Sequence, residues 1–446
     1  MARIRISLLL FLSTCFLGAM ASDEKPNIVF IIADDLGWND VGFHGGNAPT
    51  PNLDSLARES LELTRHYVAP VCSPTRVGLL TGRCWSRFGI TTPTNHQALP
   101  FDTVTLPRAL KARGYETCLI GKWHLGSKPE WGPQHFCFDH SYGSLAGGVT
   151  AWTHRYKKGE FSTTWHRNHE LLEEEGHVTD LLTAEAIRWI SERDLEAPFF
   201  LYLPFTAVHL PVNEPEEWLQ KVPDTITSEI GRHYAACIMH LDDSVGKIRA
   251  ELERRGLAEN TILVFTSDNG GSTATNNTQP YPVDDSPSGK VTASNAPLRD
   301  QKGSVYEGGI RVPTLIHWPG KVEPGTSASP CFIADWMPTF CQLAGMEEDP
   351  DLKWDGVSLA DALRSGSDFP ERAIYIAGVR FRSSALFLED WKLIVHRDRD
   401  PELYAILDDP SERKNLSSER GELIEELLKT LTEQQQSDHD SVVKGQ

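Results

Sequence analysis

The chain has 446 residues, 24% of them charged, and a formal net charge of −19. So acidic a surface excludes nucleic acid as a partner and excludes polyanion capture by the surface as a whole. Any anion the protein handles must be met by a local cluster of cations. The length permits a large core, and no long low-complexity linker divides it.

At the N-terminus, Arg3 and Arg5 precede an apolar run from Ile6 to Leu17 and then Ala19-Met20-Ala21, with small residues at alternate positions before Ser22, the pattern of a secretory signal over 1–21. That run is too short to span a membrane, so no stable membrane insertion is expected. The expected location is secreted or periplasmic, or lysosomal or extracellular in a eukaryote. The first predicted strand, 27–33, is apolar and branched and runs straight into Asp34-Asp35. Adjacent carboxylates at a strand end repel and lose hydration; a hard cation with oxygen ligands would relieve them, and so would a role capping the next helix. A helix is predicted over 52–64. Cys72-Ser73-Pro74-Thr75-Arg76 then leads into Val77-Gly78-Leu79-Leu80-Thr81-Gly82-Arg83. Taken alone, a cysteine more often packs or pairs than reacts.

A helix over 104–113 and a strand over 117–121 come next, the latter ending at Lys122 and His124. As strand-end residues, both belong on the rim where open α/β sheets bind ligands. The stretch 151–170 is dense in aromatic and basic residues, among them Trp152, His154, Arg155, Trp165 and Arg167. Flat rings and forked cations suit a sugar, and the same residues would equally suit a loop that packs its tryptophans inward. Further along, the pattern predicts a helix at 178–193, a strand at 199–203, and helices at 215–221 and 229–255. A strand at 261–266 delivers Asp268-Asn269. With Asp34 and Asp35 these form an all-oxygen donor set that fits Ca²⁺ or Mg²⁺ and argues against zinc, although Asp-Asn-Gly-Gly alone reads as a turn. With a last strand at 313–317, the alternation predicts an α/β fold with a large, mostly parallel sheet between helices. Short strands at 373–377, 383–388, 391–396 and 402–407 precede a helix with Leu423, Ile424, Leu427, Leu428 and Leu431 on one face, a small antiparallel sheet with a docked helix. The expected division is a catalytic domain over 22–368 and a C-terminal subdomain over 369–446.

The Cys72–Arg76 pentapeptide resembles the signature of the type I, formylglycine-dependent sulfatases. Five other segments resemble that family: Asn27–Gly37, Thr261–Gly271, Gly114–Gly126, Phe199–Pro211 and Leu298–Pro313; the closing Leu403–Pro410 with Asn415-Leu416 resembles it more weakly. This chain has Val208 where the family often has Pro before the histidine. The resemblance implies an alkaline-phosphatase-like sandwich and assigns the residues. Cys72 is oxidised to formylglycine by a maturation enzyme, and its hydrate attacks the sulfate ester. Asp34, Asp35, Asp268, Asn269 and an oxygen of modified residue 72 hold one divalent cation, Ca²⁺ favoured over Mg²⁺. Arg76, Lys122 and Lys302 neutralise sulfate, and Asp268 serves as base. His209 with Lys302 protonates the leaving oxygen, and His124 takes the proton that expels sulfate. Thr153, His154, Arg155 and Arg311 are the implied substrate-binding residues. Residues 33–45 look closest to the arylsulfatase B, or N-acetylgalactosamine-4-sulfatase, branch, which implies a galacto-configured 4-sulfated carbohydrate. Two other classes stay open: a phosphatase or phosphodiesterase of the same superfamily, and a noncatalytic sulfated-glycan-binding protein.

The cysteines left beside Cys72 after signal removal are Cys84, Cys118, Cys137, Cys237, Cys331 and Cys341, an even number that permits disulfides in an exported protein.

Overall fold

A computed structural model describes residues 25–193, 196–276, 281 and 286–441, so the signal expected over 1–21 lies outside the described residues. The main sheet has ten strands. From one edge they run Gly325–Ser327, Leu61–Leu63, Leu315–His317, Thr261–Ser267, Asn27–Ala33, Phe199–Pro204, Glu116–Lys122, His140–Ser144, Trp165–Arg167 and Glu170–Leu171. The five central strands, Thr261–Ser267 through His140–Ser144, pair in parallel, and antiparallel partners flank them. Strand Asn27–Ala33 is buried at every position because both of its faces are covered. Its period-two alternation divides the core. Ile28, Phe30 and Ile32 face the side where Trp336 and Phe340 pack, with the Phe30 and Trp336 rings 5.6 Å apart. Val29, Ile31 and Ala33 face the side covered by the long helix Glu229–Arg254 through Leu241, Val245 and Ile248.

Two expectations are corrected. The helix expected over 52–64 stops at Arg58, because Leu61–Leu63 forms a strand paired on one side with Leu315–Ile316 and on the other with Gly325–Ser327. The strand expected at 313–317 is shorter, Leu315–His317, and runs antiparallel to its neighbours. All seven described cysteines are free thiols, so the disulfides that their number permits are not formed.

The second sheet is an antiparallel meander of Ile374–Ala377, Ser383–Leu388, Trp391–His396 and Glu402–Ala405. Helix Gly421–Gln435 docks on it through buried Leu427 and Leu431. Its apolar residues join the same continuous core as Phe30 and Trp336, and Phe387 meets Tyr67 at 4.0 Å between ring centroids. The small sheet is therefore fused to the large one by shared core packing.

Parallel strands all deliver their carboxyl ends to one rim. Three of them come together tightly there. At Gly121 (φ 132°) a Cβ would lie 1.8 Å from the Pro204 carbonyl oxygen, so only glycine allows the approach that brings Lys122 to the rim beside the neighbouring strand.

Candidate active site

Asp34 and Asp35 follow the first strand, Asp268 and Asn269 follow Thr261–Ser267, and Lys122 closes Glu116–Lys122. Cys72 opens helix Cys72–Thr81, which is buried along its whole length, so Arg76 projects into the interior one turn later. The charges then pair. Arg76 Nη2 donates to Asp268 Oδ2 at 2.7 Å, and Arg76 Nη1 donates to the Lys122 carbonyl at 2.6 Å. Lys122 Nζ donates to Asp34 Oδ2 at 2.6 Å, Lys302 Nζ to Asp35 Oδ1 at 2.5 Å, and Asn269 Nδ2 to the same Asp35 oxygen at 2.8 Å. His209 Nε2 lies 3.8 Å from Asp35 Oδ2. His124 Nδ1 lies 3.2 Å from Cys72 Sγ. All ten residues expected to carry catalysis or hold metal thus belong to one linked cluster.

Asp35 and His124 adopt the left-handed conformation (φ 65° and 55°), which non-glycine residues take up mainly where surrounding structure overrides local preference. The charges shift one another as well. Burial, reinforced by the nearby Asp268 carboxylate, pushes the Asp34 carboxyl up to about 8 against the opposing pull of Lys122. Burial would raise Asp35 too, yet Lys302 and His209 hold it below the usual carboxylate range. Burial raises the Cys72 thiol. His124 is lowered by burial and by the cations Lys122 and Arg76, and His209 is lowered chiefly by burial. As a plain thiol, Cys72 is held protonated and is a poor nucleophile.

The cluster passes a direct test for a hard cation. Asp34 Oδ1 and Asn269 Oδ1 are buried and have no hydrogen-bond partner, and both are oxygen acceptors. Buried acceptors of this kind are costly unless something supplies positive charge, and oxygens alone suit Ca²⁺ or Mg²⁺. Asp34, Asp35 and His209 also place ligand atoms within 4.8 Å of one another.

The four residues implied to bind substrate hydrogen-bond elsewhere. Thr153 Oγ1 meets Thr150 Oγ1 at 2.6 Å. His154 Nε2 meets the Gly176 carbonyl at 2.9 Å while its ring stacks on Trp165. Arg155 bonds Thr163 and pairs with Glu173. Arg311 lies over the Trp38 ring at 4.7 Å and pairs with Glu307 at 3.5 Å. Of the stretch 151–170, Trp165 is buried and donates to Glu174, which is the inward-packing arrangement, while Trp152 remains 38% exposed.

Sequence reasoning passed over several supporting residues. Ser73 Oγ donates to the His124 carbonyl at 2.9 Å, and Thr75 Oγ1 donates to the Asp268 carbonyl at 2.6 Å. Their signal was position alone, inside the cysteine motif. At Gly147 a Cβ would stand 2.3 Å from His124 Nε2, and at Gly148 one would stand 3.0 Å from His209 Nδ1. The pair Gly147-Gly148 therefore lets one backbone loop press on both histidines.

Unpartnered oxygen acceptors beside buried cations thus gather at the carboxyl ends of parallel strands on an alkaline-phosphatase-like α/β sandwich. The chain belongs to the sulfatase family: the model described as Sulfatase matches residues 26–346, and that described as N-sulphoglucosamine sulphohydrolase, C-terminal, matches residues 300–438. It is 34% identical to arylsulfatase J of Mus musculus over 78% of this chain and 58% of that protein. It is 33% identical to N-acetylgalactosamine-6-sulfatase of Mus musculus over 83% of this chain and 72% of the relative. The crystal structure of Ps i-CgsB in complex with k-i-k-neocarrahexaose superposes with a TM-score of 0.84 at 29% identity, covering 95% of both chains. No described helix is long and apolar enough to cross a membrane.

Proposed function

We propose that this protein is an exported sulfuric ester hydrolase acting on a sulfated, galacto-configured carbohydrate, with Cys72 matured to formylglycine as its nucleophile. The observation that carries the reading is the position of Cys72. It heads a wholly buried helix inside a Cys-x-Pro-x-Arg motif, 3.2 Å from His124 and within the charge field of Lys122 and Lys302. The relatives' names, arylsulfatase and N-acetylgalactosamine-6-sulfatase, support both the reaction and the sugar configuration.

When present, a hydrated formylglycine supplies a hydroxyl nucleophile and a divalent cation, Ca²⁺ in this reading, lowers the cost of gathering negative charge around it. Asp34, Asp35, Asp268 and Asn269 would hold that cation. The chain's own side chains do the rest. Lys122, Lys302 and Arg76 neutralise the sulfate oxygens and hold the ester in line. His124, beside position 72, is placed to take a proton from that side chain. His209, 3.8 Å from Asp35 and with Lys302 beside that same carboxylate, is the residue to which this reading assigns protonation of the departing sugar oxygen. Thr153, His154, Arg155 and Arg311, the residues the family resemblance implies for the sugar, would have to exchange their present partners to reach it. The likeness of residues 33–45 to the 4-sulfatase branch favours a 4-sulfate over the 6-sulfate of the named relative.

The test is mass spectrometry of the peptide containing residue 72, from protein made in a host with a competent maturation enzyme, followed by assays on 4- and 6-sulfated N-acetylgalactosamine. Loss of sulfur and two hydrogens with gain of one oxygen, plus sulfate release, is the expected result. A plain cysteine, or phosphate esters turned over faster than sulfate esters, would overturn it in favour of a phosphatase.

A further inference from the structure

A second group of ligand-type side chains lies behind the rim. His177 precedes helix Val178–Ser191, His240 lies midway along Glu229–Arg254, and Glu214 sits on the loop that leaves His209. All three are buried, at 3%, 1% and 4% exposure. Glu214 stands between the histidines: its Oε1 is 3.5 Å from His177 Nε2 and its Oε2 is 2.8 Å from His240 Nδ1. The three residues offer ligand atoms all within 4.8 Å of one another. The imidazole rings stack with centroids 4.9 Å apart, and Trp218 stacks on His240 at 4.7 Å, so the rings are held in place.

The second observation is independent of the donor types. His177 Nε2 is buried with no hydrogen-bond partner and faces Glu214 across the 3.5 Å gap. That gap matches the edge of a tetrahedral site, because bonds of 2.0–2.1 Å set ligand atoms about 3.3–3.5 Å apart. His240 also has the support that metal-bound histidines normally carry. Its other nitrogen, Nε2, meets Asp180 Oδ1 at 3.1 Å, which holds the ring in place.

We propose that His177 Nε2, His240 Nδ1 and Glu214 form a second metal site, distinct in chemistry from the all-oxygen rim and suited to a Zn²⁺-class ion. Two imidazoles and a carboxylate are the donors that select such ions over Ca²⁺ or Mg²⁺. Loading releases the proton that His240 Nδ1 shares with Glu214 Oε2 at 2.8 Å, and it requires the His177 tautomer that carries its proton on Nδ1, which gives up the long 3.3 Å contact from the Thr179 N–H. A small cavity, about 20 Å³ and lined by His177, Thr206, His209, Val212, Glu214 and Cys237, adjoins the cluster and leaves room for one water-sized fourth ligand. Since Glu214 follows His209 by five residues, the ion would brace the loop that carries His209.

Co²⁺ titration of the full chain tests this, with the rim first saturated with millimolar Ca²⁺. The expected result is one tightly bound equivalent by metal analysis, with the intense visible bands of a four- or five-coordinate nitrogen-containing site, displaced by Zn²⁺. His177→Ala should abolish those bands. Asp180→Asn, at a half-exposed position that does not threaten folding, should weaken Co²⁺ binding by about 10–100-fold while leaving the bands in place at saturation. No tight equivalent in the wild-type protein would overturn the proposal and leave Glu214 as a carboxylate that simply neutralises a charged His240. Bands unchanged by His177→Ala would overturn it as well.

Discussion

The loop 298–313 enters two buried charge clusters of opposite character. At one end Lys302 reaches the rim, where Asp34 Oδ1 and Asn269 Oδ1 find no partner. A few residues later Glu307 enters a closed clasp between the two sheets. Its Oε1 accepts from Lys392 Nζ at 2.9 Å, and its Oε2 accepts from the Tyr67 hydroxyl at 3.2 Å. Glu412 Oε2 accepts from the Glu307 N–H at 2.7 Å, and Glu412 Oε1 lies 2.8 Å from Lys392 Nζ, close enough for an ion pair but off the line of a hydrogen bond. Lys392, Glu307 and the rim carboxylates are equally hidden from water. Burial alone therefore does not mark a functional site. The difference lies in what meets the acceptors: in the clasp both Glu307 oxygens are bonded and Glu412 Oε1 has Lys392 Nζ at 2.8 Å, whereas at the rim Asp34 Oδ1 and Asn269 Oδ1 have no hydrogen-bond partner to offset their burial.

Substitutions should separate the two clusters. The largest expected effect is on Cys72: Cys72→Ala should lower sulfate ester hydrolysis by at least about 10⁴-fold, since it removes the group on which the others act. Its thermal unfolding midpoint should stay within about 2 °C of wild type, the shift expected for a change below 1 kcal/mol in a protein of this size. A midpoint drop comparable to the activity loss would mean that position 72 is structural. Lys392→Met should do the reverse. Two buried glutamates would lose their cation, costing about 3–5 kcal/mol in denaturant unfolding, while turnover per folded molecule changes only a few-fold. If Lys392→Met loses turnover without losing stability, the clasp is part of the site.

Removing divalent ions with a chelator should next abolish activity and lower stability by about 3 kcal/mol, the linkage expected for a ligand present at about a hundred times its dissociation constant. Adding back Ca²⁺ should restore both more fully than Mg²⁺, and unchanged melting after chelation would count against a cation at the rim.

The smallest effect concerns pH. Burial, with Glu307 adding repulsion and Lys392 opposing it, raises the Glu412 carboxyl from 4.5 to about 7. A carboxyl with a raised folded-state value contributes stability that is fully present below pH 4.5 and is lost as pH rises through about 7. Stability should therefore fall by about 2 kcal/mol between pH 5 and 8 from this group, and Glu412→Gln should flatten that slope. A wild-type profile that rises over the same interval, with no change in Glu412→Gln, would show that Lys392 dominates and Glu412 stays ionised.

The strand cores and the rim were largely legible from the chain itself. Apolar runs such as 27–33 and 261–267 can only be satisfied between two covered faces, and parallel pairing then brings their terminal Asp34-Asp35 and Asp268-Asn269 to one edge. Elements whose identity depends on a partner were not legible. Leu61–Leu63 continues a helical pattern, and only pairing with Leu315–Ile316 makes it a strand. Thr153, His154 and Arg155 carry the composition of a sugar site, yet their bonds to Thr150, Gly176 and Thr163 are set by how the loop folds back. Lys392 and Glu412, the partners of Glu307 in the clasp, have no motif at all, and neither has the His177–Glu214–His240 group, whose members are far apart in sequence.

By itself the sequence determined the apolar central strands such as 27–33, 199–203 and 261–266, the cysteine motif and the kinds of atoms available for chemistry, since hydrophobic periodicity and side-chain chemistry are local properties. The tertiary structure alone decided which charges are closed off in pairs and which stay open. That distinction depends on distances of a few ångströms between residues that may be hundreds of positions apart, and only the packed chain fixes them.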